Sequence, residues 1–106
     1  MGQEELVGKL RQLVAERDWS QFHTPENLAK SISIEAAELL ECYQWDSEAH
    51  IDAVRDELAD VLTYCLLLMD KYGFDLDEIV LEKLQKTIEK YPIDKSRGKS
   101  EKYDRL

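Results

Sequence analysis

Four acidic residues, Glu35, Glu38, Glu57 and Asp60, fall where helical periodicity expects apolar ones. Positions 28, 32, 35, 39 and 42 read Leu, Ile, Glu, Leu, Cys, so Glu35 sits mid-stripe on a face built for burial, with Glu38 one turn on beside it. Positions 54, 57, 61, 64 and 68 read Val, Glu, Val, Tyr, Leu, which places Glu57 inward and Asp60 beside it. Residues three apart share a helix face, so each pair can present two carboxylates to one point. Burying an unpaired carboxylate is costly or forces it to protonate. Four of them facing one another need a compensating positive charge. The stretch 28–70 offers only Lys30 and Arg55, both off the stripe. A divalent cation fits better, and all-oxygen ligation selects Mg²⁺, with Mn²⁺ as substitute, over Zn²⁺. His23 and His50 lack the Glu-x-x-His spacing of di-iron bundles. A solvated acidic face is the alternative that spacing leaves open.

The elements that must hold these groups read as helices throughout. Leu6, Leu10, Leu13 and Val14 recur at helical spacing over residues 3–17, and Asp18–His23 breaks the period as a loop. Thr24 followed by Pro25 is a helix start, and the second helix is expected to run to Tyr43. Asp46 or Ser47 is expected to cap the third helix, which carries Val54 to Met69 and stops at Gly73. Asp75 with Glu78 resembles a capping box opening a fourth helix that Pro92 ends. The expectation is an all-α, four-helix bundle in a single domain, 1–106, with 93–106 a basic, loosely ordered C-terminal tail.

Charge divides along the chain. The net charge of −9 conceals −13 over residues 1–82 and +4 over residues 83–106. The acidic balance argues against a nucleic-acid polymer or an anionic membrane as partner. No run approaches the roughly 20 apolar residues of a bilayer span. The opening MGQEELVGKL does not read as a signal peptide, and Cys42 and Cys65 read as reduced thiols on apolar helical stretches, so a cytoplasmic setting is expected.

Glu35-Ala-Ala-Glu38 and Glu57-Leu-Ala-Asp60 resemble the E-x-x-E and E-x-x-D elements of the MazG and dUTPase-like all-α nucleoside triphosphate pyrophosphohydrolases. Ala15–His23 with Pro25 and Asn27, Tyr43-Gln-Trp45, Asp60–Tyr64, Lys90–Gly98 and Lys102–Leu106 extend the likeness to the dCTP pyrophosphatase branch over nearly the whole chain. Thr87 and Ile88 depart from it, standing where the family typically carries an Asn and an Arg.

The resemblance implies hydrolysis of a deoxynucleoside triphosphate, dCTP or a related pyrimidine, to monophosphate and pyrophosphate. Glu35, Glu38, Glu57 and Asp60 would hold Mg²⁺ against the triphosphate, with Glu38 the candidate catalytic acceptor of the water's proton and Glu41 an auxiliary acid. Lys83, Lys95, Arg97 and Lys102 would contact the β- and γ-phosphates, Arg97 foremost for its planar fork of donors. Trp19, Phe22, His23 and Trp45 would form the base pocket, Asn27 would bond base or sugar, and Tyr64 would pack on the deoxyribose. It also implies a homo-oligomer, a tetramer or a dimer. Two rival readings are the same chemistry on a broader set of nucleotides, and a non-catalytic helical module whose acidic face docks a basic partner. The inward placement of Glu35 and Glu57 speaks against the second, since a docking face projects its acids outward.

Overall fold

The computed structural model describes all residues, 1–106, and contains helices and no strand. There are five α-helices: α1 (Gln3–Glu16), α2 (Pro25–Glu41), α3 (Ile51–Tyr72), α4 (Leu76–Lys90) and the short α5 (Ile93–Ser96). Single 3-10 turns occupy Ser20–Phe22 and Tyr103–Arg105. The chain divides into two compact units, Met1–Phe74 and Asp75–Leu106.

In the first unit α2 and α3 pair along their length. Leu28 and Leu67 meet in the core with Val14 of α1, and Leu28 is completely buried. Leu10, Tyr64 and Leu68 pack around them. This burial, not helix propensity, holds the pair together.

The ends of these helices are set by local chemistry. Thr24 Oγ1 accepts the Asn27 N–H at 3.1 Å, and Pro25 takes the first helical position, where a missing N–H costs nothing. Gly73, at φ +69°, closes α3, with Gly73 N–H donating to Asp70 O and Phe74 N–H to Met69 O. That Schellman pattern needs a left-handed residue, which glycine supplies without a Cβ penalty. Asp18 does the same after α1 at φ +54°, while Trp19 N–H reaches back to Val14 O. Arg11 spans α1 and α3 through a forked pair with Asp70, whose Nε–Oδ2 arm is 2.9 Å.

Two boundaries differ from expectation. α2 ends at Glu41 and α3 begins only at Ile51, so neither Asp46 nor Ser47 is a cap. Asp46 Oδ1 instead accepts the Glu48 N–H at 2.9 Å, and this Asx turn occupies the side chain that would have capped a helix.

The second unit is built differently. Asp75 Oδ2 caps α4 by accepting the Glu78 N–H at 3.0 Å. No residue of α4 is buried, and Val80, Leu81, Leu84 and Ile88 all stand exposed. Beyond Pro92 the chain is more ordered than its composition suggests, with α5, a tight turn at Ser96–Lys99 and a closing 3-10 turn. α5 is also why five helices are found where four were expected.

Candidate metal and nucleotide site

The pairing of α2 with α3 gathers both acidic pairs. Ligand oxygens of Glu35, Glu38, Glu57 and Asp60 all lie within 4.8 Å of one another. Glu35 and Glu57 are half-buried, while Glu38 and Asp60 are exposed. The Oε2 atoms of Glu35 and Glu57 are buried without a hydrogen-bond partner. Proton sharing with Glu38, burial and the surrounding carboxylates push Glu35 up to about 7. Burial, then the charges of Glu38 and Asp60, holds Glu57 above the ordinary carboxylate range. These are the marks of like charges gathered without a counter-charge. A hard divalent cation matches this all-carboxylate donor set and would supply the partner that the two buried oxygens lack.

Asp60 also lines a cavity of about 250 Å³ in the first unit. Trp19, His23, Thr63 and Tyr64 share its wall, with apolar backing from Leu10, Val14 and Leu67. His23 and Tyr64 meet edge to face, their centroids 6.4 Å apart at 73°. Burial and the nearby charge of Lys71 push the His23 imidazole below its usual pKa. A neutral ring offers one donor and one acceptor, the equipment to read a polar base edge. The Trp19 ring is steadied by Arg17, whose guanidinium carbon lies 5.7 Å from its centroid.

The remaining sequence-derived candidates lie elsewhere. Phe22 is exposed beside the cavity's loop and does not line it. Asn27 donates its side-chain N–H to Phe22 O at 2.9 Å, which ties the loop to α2. Trp45 is 90 % exposed, on the segment joining α2 to α3. Glu41 closes α2 and faces solvent. Lys83, Lys95, Arg97 and Lys102 are exposed within the second unit. At the two departures from the family pattern, Thr87 donates its hydroxyl to Lys83 O at 3.1 Å and Ile88 is exposed.

Two features escaped the sequence reading. Thr63 is a wall of the cavity, its hydroxyl already donating to Ala59 O at 2.8 Å; its position three residues past Asp60 was the available signal. A second cavity of about 250 Å³ also has His23 in its wall, with Arg11, Ser20, Asp70 and Lys71. Nothing in local spacing links Arg11 with Asp70, which are 59 positions apart.

Comparison with known proteins decides the family. Residues 30–106 match the MazG-like family. The chain belongs to it. Rat dCTP pyrophosphatase 1 (Rattus norvegicus) is 37 % identical over 105 residues, covering 90 % of this chain and 62 % of that protein. Human dCTP pyrophosphatase 1 (Homo sapiens) is 35 % identical over the same length and the same shares. The chain thus spans about 62 % of the length of the curated relatives it matches. Among solved structures, a pyrophosphatase from Archaeoglobus fulgidus superposes with a TM-score of 0.75 at 43 % identity, covering 84 % of this chain and 91 % of that one. This MazG-like chain has no helix long and apolar enough to cross a membrane.

Proposed function

We propose that this MazG-like chain is a Mg²⁺-dependent nucleoside triphosphate pyrophosphohydrolase acting on dCTP or a related pyrimidine deoxynucleotide. The observation that carries the reading is the convergence of four carboxylates, two with buried and unsatisfied oxygens, beside an aromatic cavity that shares Asp60. The pyrophosphatase names of its relatives agree with this chemistry.

Glu35, Glu38, Glu57 and Asp60 are assigned to the metal. Held by these carboxylates, Mg²⁺ would supply positive charge against the triphosphate and would ease ionisation of a water. Hydrolysis joins the water oxygen to the α-phosphorus and breaks its bond to the bridging oxygen of the β-phosphate. Glu38, exposed at the edge of the cluster, accepts the proton released. Trp19 stacks on the base, neutral His23 bonds its edge and Tyr64 packs against the sugar, where a 2′-hydroxyl would crowd it. Phe22, Asn27 and Trp45 complete the base and sugar contacts, and Lys83, Lys95, Arg97 and Lys102 take the β- and γ-phosphates.

The two units are assigned to one domain, 1–106, working as a cytoplasmic homo-oligomer, a tetramer or dimer. The exposed apolar side chains of α4, with Ile34, Leu40, Leu58 and Leu62, support that assembly, because a lone soluble chain seldom leaves so many uncovered. The decisive assay measures pyrophosphate release across all dNTPs and NTPs, with Mg²⁺ and with chelator, for the native chain and Glu38→Ala. Release that needs Mg²⁺, favours dCTP and disappears in the variant is expected. Activity that survives chelation or the substitution overturns the mechanism. A flat substrate profile leaves the chemistry standing and removes the pyrimidine preference.

A further inference from the structure

Residues 92–102 of the second unit carry four cations, Lys95, Arg97, Lys99 and Lys102, against two acids, Asp94 and Glu101. Such a segment would repel itself into an open coil unless something closed it. Here it is closed. The Tyr91 hydroxyl accepts the Tyr103 N–H at 3.1 Å, across twelve positions. The two rings meet edge to face, 6.2 Å apart at 83°, and Lys90 Nζ lies 4.7 Å from the centroid of the Tyr103 ring. Within the loop, Lys99 N–H donates to Ser96 O at 3.0 Å. Arg97 at φ −58°, ψ 122° and Gly98 at φ +76° are the two central residues of a type II turn. The turn holds Arg97 at its tip, exposed and without an ion pair in the chain.

We propose that Tyr91 is a positioning residue: its hydroxyl ties off residues 92–102 as a closed loop that presents Lys95, Arg97 and Lys102 as a preorganised receptor for a di- or triphosphate. This deepens the phosphate role assigned above and rests on it. The physical gain is entropic. An open segment must be ordered when the anion binds, whereas a loop closed beforehand has already met that cost. The tie is made by the Tyr91 hydroxyl, so the substitution that matters removes one oxygen. Tyr91→Phe keeps the ring and deletes the acceptor. Tyr103→Phe keeps the donor, which is backbone, and serves as the matched control.

Two readouts separate the tie from the catalytic reading. The first is the rate at which trypsin cuts after Lys95, Arg97, Lys99 or Lys102, followed by mass. The second is the affinity for inorganic pyrophosphate with Mg²⁺ by calorimetry, together with KM and kcat for dCTP. One neutral hydrogen bond is worth about fivefold in an equilibrium. Tyr91→Phe is therefore expected to be cut about fivefold faster, to bind pyrophosphate about fivefold more weakly, and to raise KM by a similar factor with kcat within about twofold. Tyr103→Phe matches the native chain in all three. A native cutting rate in Tyr91→Phe, or faster cutting with unchanged pyrophosphate affinity, overturns the proposal. A chain that hydrolyses no nucleotide defeats the functional reading instead, and the tryptic and pyrophosphate measurements still decide the tie.

Discussion

The two units of this chain differ in charge, −9 for Met1–Phe74 against zero for Asp75–Leu106, and hold their functional side chains by different physics. Met1–Phe74 places its acids by packing: Leu28, Leu67 and Val14 lock α2 to α3 and α1, and the carboxylates are carried to one point because the helices beneath them cannot slide. Asp75–Leu106 has no buried residue in α4, and its cations are arranged by hydrogen bonds instead: the Asp75 cap, the type II turn at Arg97-Gly98 and the Tyr91–Tyr103 tie. A cluster of like charges must be forced together by a core that outweighs the repulsion. Cations meant to meet an anion need only be kept from wandering. Substitutions should accordingly act through tertiary stability in the first unit and through local order in the second.

The largest effect expected is at the packed acidic cluster. Glu57→Gln removes one metal-facing charge while keeping the shape of the side chain. Loss of an outer-shell partner alone weakens a metal site by about 10–100-fold, so loss of a ligand proposed to touch the metal should lower Mg²⁺-dependent pyrophosphate release at least that far. The same variant should raise the melting temperature of the metal-free chain, because an amide ends both the burial cost and the repulsion that push the Glu57 carboxyl above its usual range. Lower thermal stability in Glu57→Gln would show that the cluster is not strained.

Next comes the core beneath it. Leu28→Ala opens a cavity at a fully buried site and should cost about 2–5 kcal/mol in urea unfolding, with the metal response weakened in step. A cost below about 1 kcal/mol would mean that α2 and α3 are not held by this contact.

The cluster also sets a pH dependence in the first unit. Glu35 titrates at about 7 in the folded chain, above the usual 4.5 of an unfolded glutamate. A raised carboxyl binds its proton more tightly when folded, so its contribution is fully present below 4.5 and is lost as pH rises towards 7. Metal-free protein should therefore melt at progressively lower temperature across that window. Saturating Mg²⁺ should reverse the trend, since a cation competes with the proton and binds better as pH rises. Melting curves at several pH values, with Mg²⁺ and with chelator, check both signs.

The smallest effect belongs to the second unit's local order. Asp75→Ala removes the α4 cap and should cost about 1 kcal/mol, seen as lost helix in circular dichroism with the first unit's melting barely moved. A loss shared equally by both units would erase the contrast between them.

How much of this was legible in the residues follows from range. Glu35 with Glu38, and Glu57 with Asp60, could be read as pairs because an i, i+3 relation lies within one helix, where backbone geometry alone decides which side chains are neighbours. The Thr24 and Asp75 caps and the Gly73 stop were readable for the same reason. The Asp46 cap failed because an Asx turn to Glu48 uses the same oxygen, and residue type does not say which of two local bonds wins. α5 and the closing turn were missed because each is a single turn held by its own backbone bonds, too short to show a helical period.

Sequence by itself therefore determined the four long helices, the charge reversal at the last quarter of the chain and the two acidic pairs, since each is a matter of spacing or count. Only the tertiary structure decided that the pairs face one another within 4.8 Å, that Trp19, His23, Thr63 and Tyr64 wall one cavity with Asp60, and that Arg11 clasps Asp70. Those relations join residues far apart along the chain. They exist because burying Leu28 and Leu67 together selects one register of α2 on α3 out of the many that the helices alone would allow.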